Sequence, residues 1–212
     1  MASRVPRNLL FATLVEASDC HGQSTDILST VPGHLAEGIT GQILIPGVLT
    51  TMSRPGAAHD HTLAHCAFAL HGVDRRFNGH GWWIRQEFEV RFPGDRLAVP
   101  DLAGWRADLH PELADDNPLR IVPTWCAEAV SPGTASDDRT LKLPLYASTG
   151  VAHIWLIDPT LRTIEVYEAT DARPTLVATA RDVDVVRLPP FDVELSLATW
   201  WKAPSVPAVV SS

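Results

Sequence analysis

Two carboxylates in this chain occupy stretches that ought to exclude water. Asp101 follows Leu97-Ala98-Val99-Pro100, and Glu128 is embedded in Trp125-Cys126-Ala127-Glu128-Ala129-Val130. A carboxylate inside an apolar run is expected to be buried. Burying an unpaired charge is costly, so the group needs a metal, a cation or a proton. Two carboxylates on adjacent strands can converge on one Mg²⁺, which takes oxygen ligands and keeps several waters. Such an ion polarises a phosphate and lowers the pKa of an attacking water. A lysine nearby can orient that water or steady the developing charge. Plainer readings stay open: Asp101 as a strand-end aspartate after a proline, Glu128 as a salt-bridged strand glutamate.

Other chemistry-bearing residues are weaker candidates. His61 and His65 are four apart and could hold a metal from one helical face, but Asp60 precedes His61 and Thr62 follows it, so the HExxH pattern is absent and zinc is not the expected metal. His59 could support the carboxylates by hydrogen bonding. Glu87 and Glu89 fit the solvated side of a strand. Arg75, Arg76, Arg85, Arg91 and Arg106 are candidates for phosphate contacts. The seven tryptophans read as core or interface residues. The chain has no glycine-rich phosphate loop, no GxSxG and no Cys/His nucleophile pattern.

The elements that must carry these residues are a mixture of strands and helices. Glu37 to Leu49 reads as a strand pair around Gly41, and residues 59–77 as a helix with Leu63, Cys66, Ala67 and Leu70 at helical spacing. Trp82 to Phe92 reads as one strand, and Leu97 to Trp105 as another interrupted by Pro100. Thr124 to Val130 is a short apolar strand, 137–148 is helical in pattern, and Val151 to Ile157 suits a sheet centre. Thr163 to Tyr167 should form a hairpin with it through Asp158-Pro159. Further strands are expected near 175–180 and 184–188, with a short helix over Leu195 to Trp201. This order favours an α/β or α+β sandwich around one sheet. Residues 1–27 read as an arm, 28–202 as one domain, and 203–212 as a flexible tail.

Composition sets the outer limits. The chain has 212 residues, 45% hydrophobic and 20% charged, with a formal net charge of −8. That is an ordinary globular balance, long enough to bury a core without disulfides. The negative charge argues against a basic nucleic-acid coat, yet a locally basic cleft or a bound metal can still receive phosphate. Cys20, Cys66 and Cys126 are isolated, with no CxxC, which argues against a disulfide framework and for a reducing cytoplasm. The apolar run Leu9 to Val15 is short, ends at Glu16 and lacks a good cleavage site, so a signal peptide is not expected. No stretch has the apolar length to span a bilayer.

The segments Val99-Pro100-Asp101-Leu102 and Ala127-Glu128-Ala129-Val130-Ser131-Pro132-Gly133-Thr134 resemble the two strand motifs of the PD-(D/E)XK nuclease superfamily. More narrowly they resemble its Uma-two family of restriction-endonuclease-like proteins. The likeness continues through Asp138, Lys142 and Tyr146 to Gly150-Val151-Ala152-His153-Ile154-Trp155-Leu156-Ile157-Asp158-Pro159. Upstream, Ala36-Glu37-Gly38-Ile39-Thr40-Gly41, Pro55 and His59 are similar to that family's first hairpin and helix start. It spans about residues 30–200 and is most specific over 123–159.

The resemblance implies a restriction-endonuclease-like core with extra N- and C-terminal β-hairpins, and metal-dependent cleavage of phosphodiester bonds in DNA. By the same resemblance Asp101 and Glu128 are ligands of Mg²⁺, with Mn²⁺ as a substitute, the Ala129 carbonyl is a candidate third ligand, and Glu37 is an auxiliary acid. The lysine of the superfamily pattern is replaced by Val130, and Lys142 matches the slot from which the narrower family draws its lysine. Asp138, Lys142 and Tyr146 are four apart and would share one face of a regular helix. Pro144 opposes that helix, since an internal proline costs about 3 kcal/mol. A homodimer is compatible with cutting two strands. The rival reading is a nuclease-fold binding or regulatory protein without robust catalysis.

Overall fold

Alternating apolar and small residues over the middle of the chain build one mixed sheet with a core on each face. The computed structural model describes residues 40–52 and 56–201. The elements in chain order are β1 (Thr40–Ile45), β2 (Val48–Met52), α1 (Ala57–Ala69), α2 (Arg75–Asn78), β3 (Trp82–Gln86), β4 (Val90–Phe92), β5 (Arg96–Ala98), β6 (Leu102–Arg106) and β7 (Trp125–Ala129). There follow α3 (Ala135–Asp137), a π-helical turn (Asp138–Lys142), α4 (Leu143–Thr149), β8 (His153–Asp158), β9 (Thr163–Thr170), β10 (Arg173–Arg181), β11 (Val185–Arg187) and β12 (Glu194–Ser196).

The six-stranded sheet runs β10-β9-β8-β7-β6-β3, and only its β7–β8 pair is parallel. A parallel pair needs a crossover connection, usually helical. Here the crossover is α3, the π-helical turn and α4. Along β7, Trp125, Ala127 and Ala129 enter one core with Leu63, Cys66 and Leu70, of which Leu63 and Cys66 lie in α1. Cys126 and, just beyond the strand, Val130 enter the other core with Leu143, Leu145, Tyr146 and Ala147 of α4. The period of two thus serves two apolar layers, with Glu128 on the α4 side.

A smaller sheet, β2-β1-β5-β4, lies alongside, and β11 pairs with β12 near the C-terminus. This is the expected mixed α/β architecture with extra hairpins. Several boundaries differ from the sequence reading. The first hairpin turns at Pro46-Gly47, not at Gly41; Gly47 supplies the positive φ of 77°. The expected helix 59–77 is broken into α1, a 3₁₀ turn (His71–Val73) and α2. The expected strand Trp82–Phe92 is two strands, because Glu87 adopts a φ of 44° and passes the chain from the large sheet to the small one. The stretch Leu97–Trp105 divides the same way at Pro100, whose missing N–H cannot continue a ladder. The two crossings lie side by side, joined by Glu87 N–H donating to the Asp101 carbonyl at 3.1 Å. The C-terminal end contains β12 and a 3₁₀ turn over Leu197–Thr199 in place of a longer helix. The arm 1–27 and the tail 203–212 lie outside the described residues.

Candidate active site

Asp101 stands at the point where the chain leaves the small sheet and enters β6. Its carboxylate is buried, and Oδ2 accepts the Ala129 N–H of β7 at 2.7 Å. His59, in the first turn of α1, places Nε2 3.0 Å from the same oxygen. Burial pulls the His59 imidazole down, but hydrogen bonding and charge from Asp101 overcome this and raise it above its ordinary value.

Glu128 projects from the centre of β7 and is 1% exposed. Lys142 Nζ donates to its Oε2 at 2.6 Å, and the Tyr146 hydroxyl donates to its Oε1 at 2.5 Å. Lys142 is itself 2% exposed. Its Nζ also lies 3.3 Å from Asp138 Oδ1, within ion-pair distance but without hydrogen-bond geometry. Burial pushes Glu128 up to about 8 against the opposing pull of Lys142, and neighbouring Asp101 and Asp138 push in the same direction as burial. Burial also raises Asp138. Burial alone would lower Lys142, but Glu128, Asp138 and Asp101 together hold it above its usual value. Tyr146 is raised by burial and by Glu128, and stays a neutral donor.

The lysine arrives by a local device. Pro144 lies at the start of α4, where its missing N–H is tolerated, and the turn immediately before it is π-helical. The wider turn avoids placing proline inside a regular ladder, where its ring would clash with the preceding carbonyl. Lys142 and Tyr146 both reach Glu128 and Asp138 lies beside Lys142, close together as their spacing anticipated, although the helix between Asp138 and Lys142 is not regular. Lys142 is therefore no solvated surface lysine.

The donor chemistry suits a hard divalent cation. Three carboxylates, Asp101, Glu128 and Asp138, surround one permanent cation, so added positive charge would be welcome there. Asp101 and Glu128 could hold Mg²⁺ or Mn²⁺ with water completing the coordination. Among the described residues no three His, Cys, Asp or Glu side chains form a ready cage. Glu37 lies outside the described residues. The visible part played by Ala129 is its N–H, given to Asp101.

The other candidates are elsewhere. His61 Nε2 meets the Thr199 carbonyl at 3.0 Å and its ring packs 4.4 Å from that of His65. Arg76 pairs with Asp74, and Arg85 with Asp115. Trp105, Trp125, Trp155 and Trp200 are fully buried, as expected of core residues. The contacts that the sequence did not disclose are the Ala129 N–H and the Tyr146 hydroxyl. The first is a backbone group with no residue signature, whereas the second left a trace in its spacing from Lys142.

Among curated proteins none matches this chain. A crystal structure described as a "putative nuclease belonging to DUF820" from Anabaena variabilis has the same fold, with a TM-score of 0.63 at 21% identity, covering 82% of this chain and 94% of that one. The family model Uma2, described as "Putative restriction endonuclease", matches residues 38–199. With most of its length under that model, and the carboxylates and lysine gathered on β6, β7 and the crossover helix, the chain belongs to the Uma2 family.

Proposed function

We propose that this protein is a metal-dependent endonuclease that hydrolyses phosphodiester bonds in DNA. The observation that carries the reading is the buried Glu128–Lys142 pair beside Asp101, at the junction of the two sheets. Family membership supports a nuclease acting on nucleic acid. A bound Mg²⁺, with Mn²⁺ as substitute, would supply Lewis acidity to the phosphate and acidify a coordinated water. Asp101 and Glu128 are the residues that would hold it. His59 and the Ala129 N–H fix the Asp101 carboxylate, and Tyr146 fixes that of Glu128. Lys142, already charged and desolvated, would orient the attacking water or steady the charge that builds on the phosphate. The cysteines among the described residues, Cys66 and Cys126, are free and buried. No helix among the described residues is long and apolar enough to cross a membrane.

The test is nicking of supercoiled plasmid with Mg²⁺ or Mn²⁺, with and without chelator, by wild type and Glu128→Gln. Metal-dependent nicking lost in the variant is the expected result. Equal nicking by both proteins would remove Glu128 from the mechanism.

One observation favours a second reading, a DNA-binding or regulatory protein that retains the fold. Both Glu128 oxygens are already taken by Lys142 and Tyr146. This reading expects wild type to bind DNA and leave it intact whatever metal is added.

A further inference from the structure

A second concave site lies at the opposite end of the large sheet. Arg106 ends β6, whose other end follows Asp101. Five residues of extended chain separate them by roughly 17 Å. The cleft there has a volume of about 840 Å³, within the range of small-molecule sites. Arg75, Arg106, His80 and His153 line it, with Asp108 as the single acidic side chain. In a chain of net charge −8 this runs against the general balance.

The framework is fixed. Gly81 has a φ of +90°, and a Cβ there would stand 2.3 Å from the Val73 carbonyl, so only glycine fits. Its own carbonyl accepts the Ala107 N–H at 2.8 Å. Thr124 donates its N–H to Gly104 and accepts the N–H groups of Ala152 and His153. The Arg75 guanidinium lies 5.2 Å from the centre of the Trp83 ring and donates to the Gly79 carbonyl at 2.9 Å. Arg106 is paired with Asp108, but both are about half exposed, and such pairs are weak and exchangeable. His153 Nδ1 is buried without a hydrogen-bond partner, its nearest acid oxygen being Glu168 Oε1 at 3.7 Å.

Because two arginines and two histidines line one cleft with a single acidic side chain among them, we propose that it binds a phosphate group, separately from the carboxylate site. Guanidinium forks match phosphate oxygens in pairs. Trp82 and Pro190 give the cleft an apolar wall that a nucleobase could cover. Free phosphate and the phosphate of a mononucleotide share the recognised group.

Isothermal titration of the full chain in EDTA, with inorganic phosphate and with dAMP, tests this without reference to cleavage. Saturable binding is expected, weakened about tenfold or more in Arg75→Ala/Arg106→Ala and kept in Glu128→Gln. An unchanged thermal midpoint of the double variant would establish that it is folded, and Arg75→Lys/Arg106→Lys, which retains the charge, should bind more tightly than the alanine pair. Tighter binding of dAMP than of phosphate identifies a nucleotide site; equal binding identifies phosphate alone. No binding of either probe at millimolar concentration, or binding that the arginine variants leave intact, overturns the proposal. Plasmid nicking lost in Glu128→Gln while phosphate binding persists would separate the two sites.

Discussion

Lys142 Nζ sits 2.6 Å from Glu128 Oε2, and neither side chain reaches solvent to any useful extent. The lysine comes from the crossover helix and the glutamate from the strand that the crossover begins on. Asp101 and Asp138 add negative charge around the pair. Burial disfavours ionisation of Glu128 and Asp138, and a divalent cation would favour their ionised forms in place of the proton.

Removing that charge pattern should abolish cleavage while the fold survives. Asp101→Asn and Glu128→Gln preserve shape but remove charge, so each should lower nicking by at least about a hundredfold while the variant still melts cooperatively. The check is single-turnover cleavage beside a melting curve. Full activity in Asp101→Asn would exclude that carboxylate as a ligand.

Lys142→Met should destabilise the protein, and the size of the loss should depend on pH. Without the pull of Lys142 the Glu128 carboxyl is pushed further up. At pH 9 the variant must therefore take up a proton or bury an unpaired carboxylate. The loss there rises towards about 3–5 kcal/mol, the cost of a buried pair broken on one side. Near pH 6 a protonated Glu128 needs no cation and the loss should be smaller. Urea denaturation at the two pH values measures the difference; equal losses would count against the buried pair.

The raised Glu128 carboxyl also gives the wild type a defined pH slope. Burial moves it from an ordinary 4.5 up to about 8, so between those values the folded state binds more proton than the unfolded chain. Stability contributed by this group is complete below about pH 4.5 and declines as pH rises towards 8. Raised His59 and Asp138 act in the same direction. Relative to Glu128→Gln, the wild type should therefore lose thermal midpoint from pH 5 to pH 8. A relative gain over that range would contradict the burial of Glu128.

Tyr146→Phe removes one hydroxyl and leaves Glu128 Oε1 without its partner. The expected cost is about 1–3 kcal/mol, the penalty of a buried acceptor left unsatisfied. A neutral effect on chemical denaturation would mean that water reaches Oε1.

Cys66 and Cys126 are fully buried, and burial holds both thiols well above their usual range. Neither should react with a disulfide reagent in the native protein, and both should react after denaturation. Mass spectrometry of the labelled peptides reads this directly.

Much of the fold was legible along the chain, for local reasons. Thr124 to Val130 and Val151 to Ile157 read as strands because they are mostly apolar on both faces, and they contain the adjacent parallel strands β7 and β8. Asp101 and Glu128 stood out because a charge inside such a run demands a partner. The strand over 82–92 was misread because its alternation continues past Glu87, while the turn there is a backbone event serving two different sheets.

By itself the sequence determined the mixed α/β class, the buried carboxylates and the spacing that puts Asp138, Lys142 and Tyr146 near one another. Tertiary structure alone decided that Lys142 reaches Glu128 through a π-helical turn ahead of Pro144, that the Ala129 N–H clamps Asp101, and that Arg75 and Arg106 share a cleft at the far end of the sheet. Burial and period follow from side-chain type over a few residues. Which distant groups meet depends on strand order and crossover path, and those are settled only when the two cores pack.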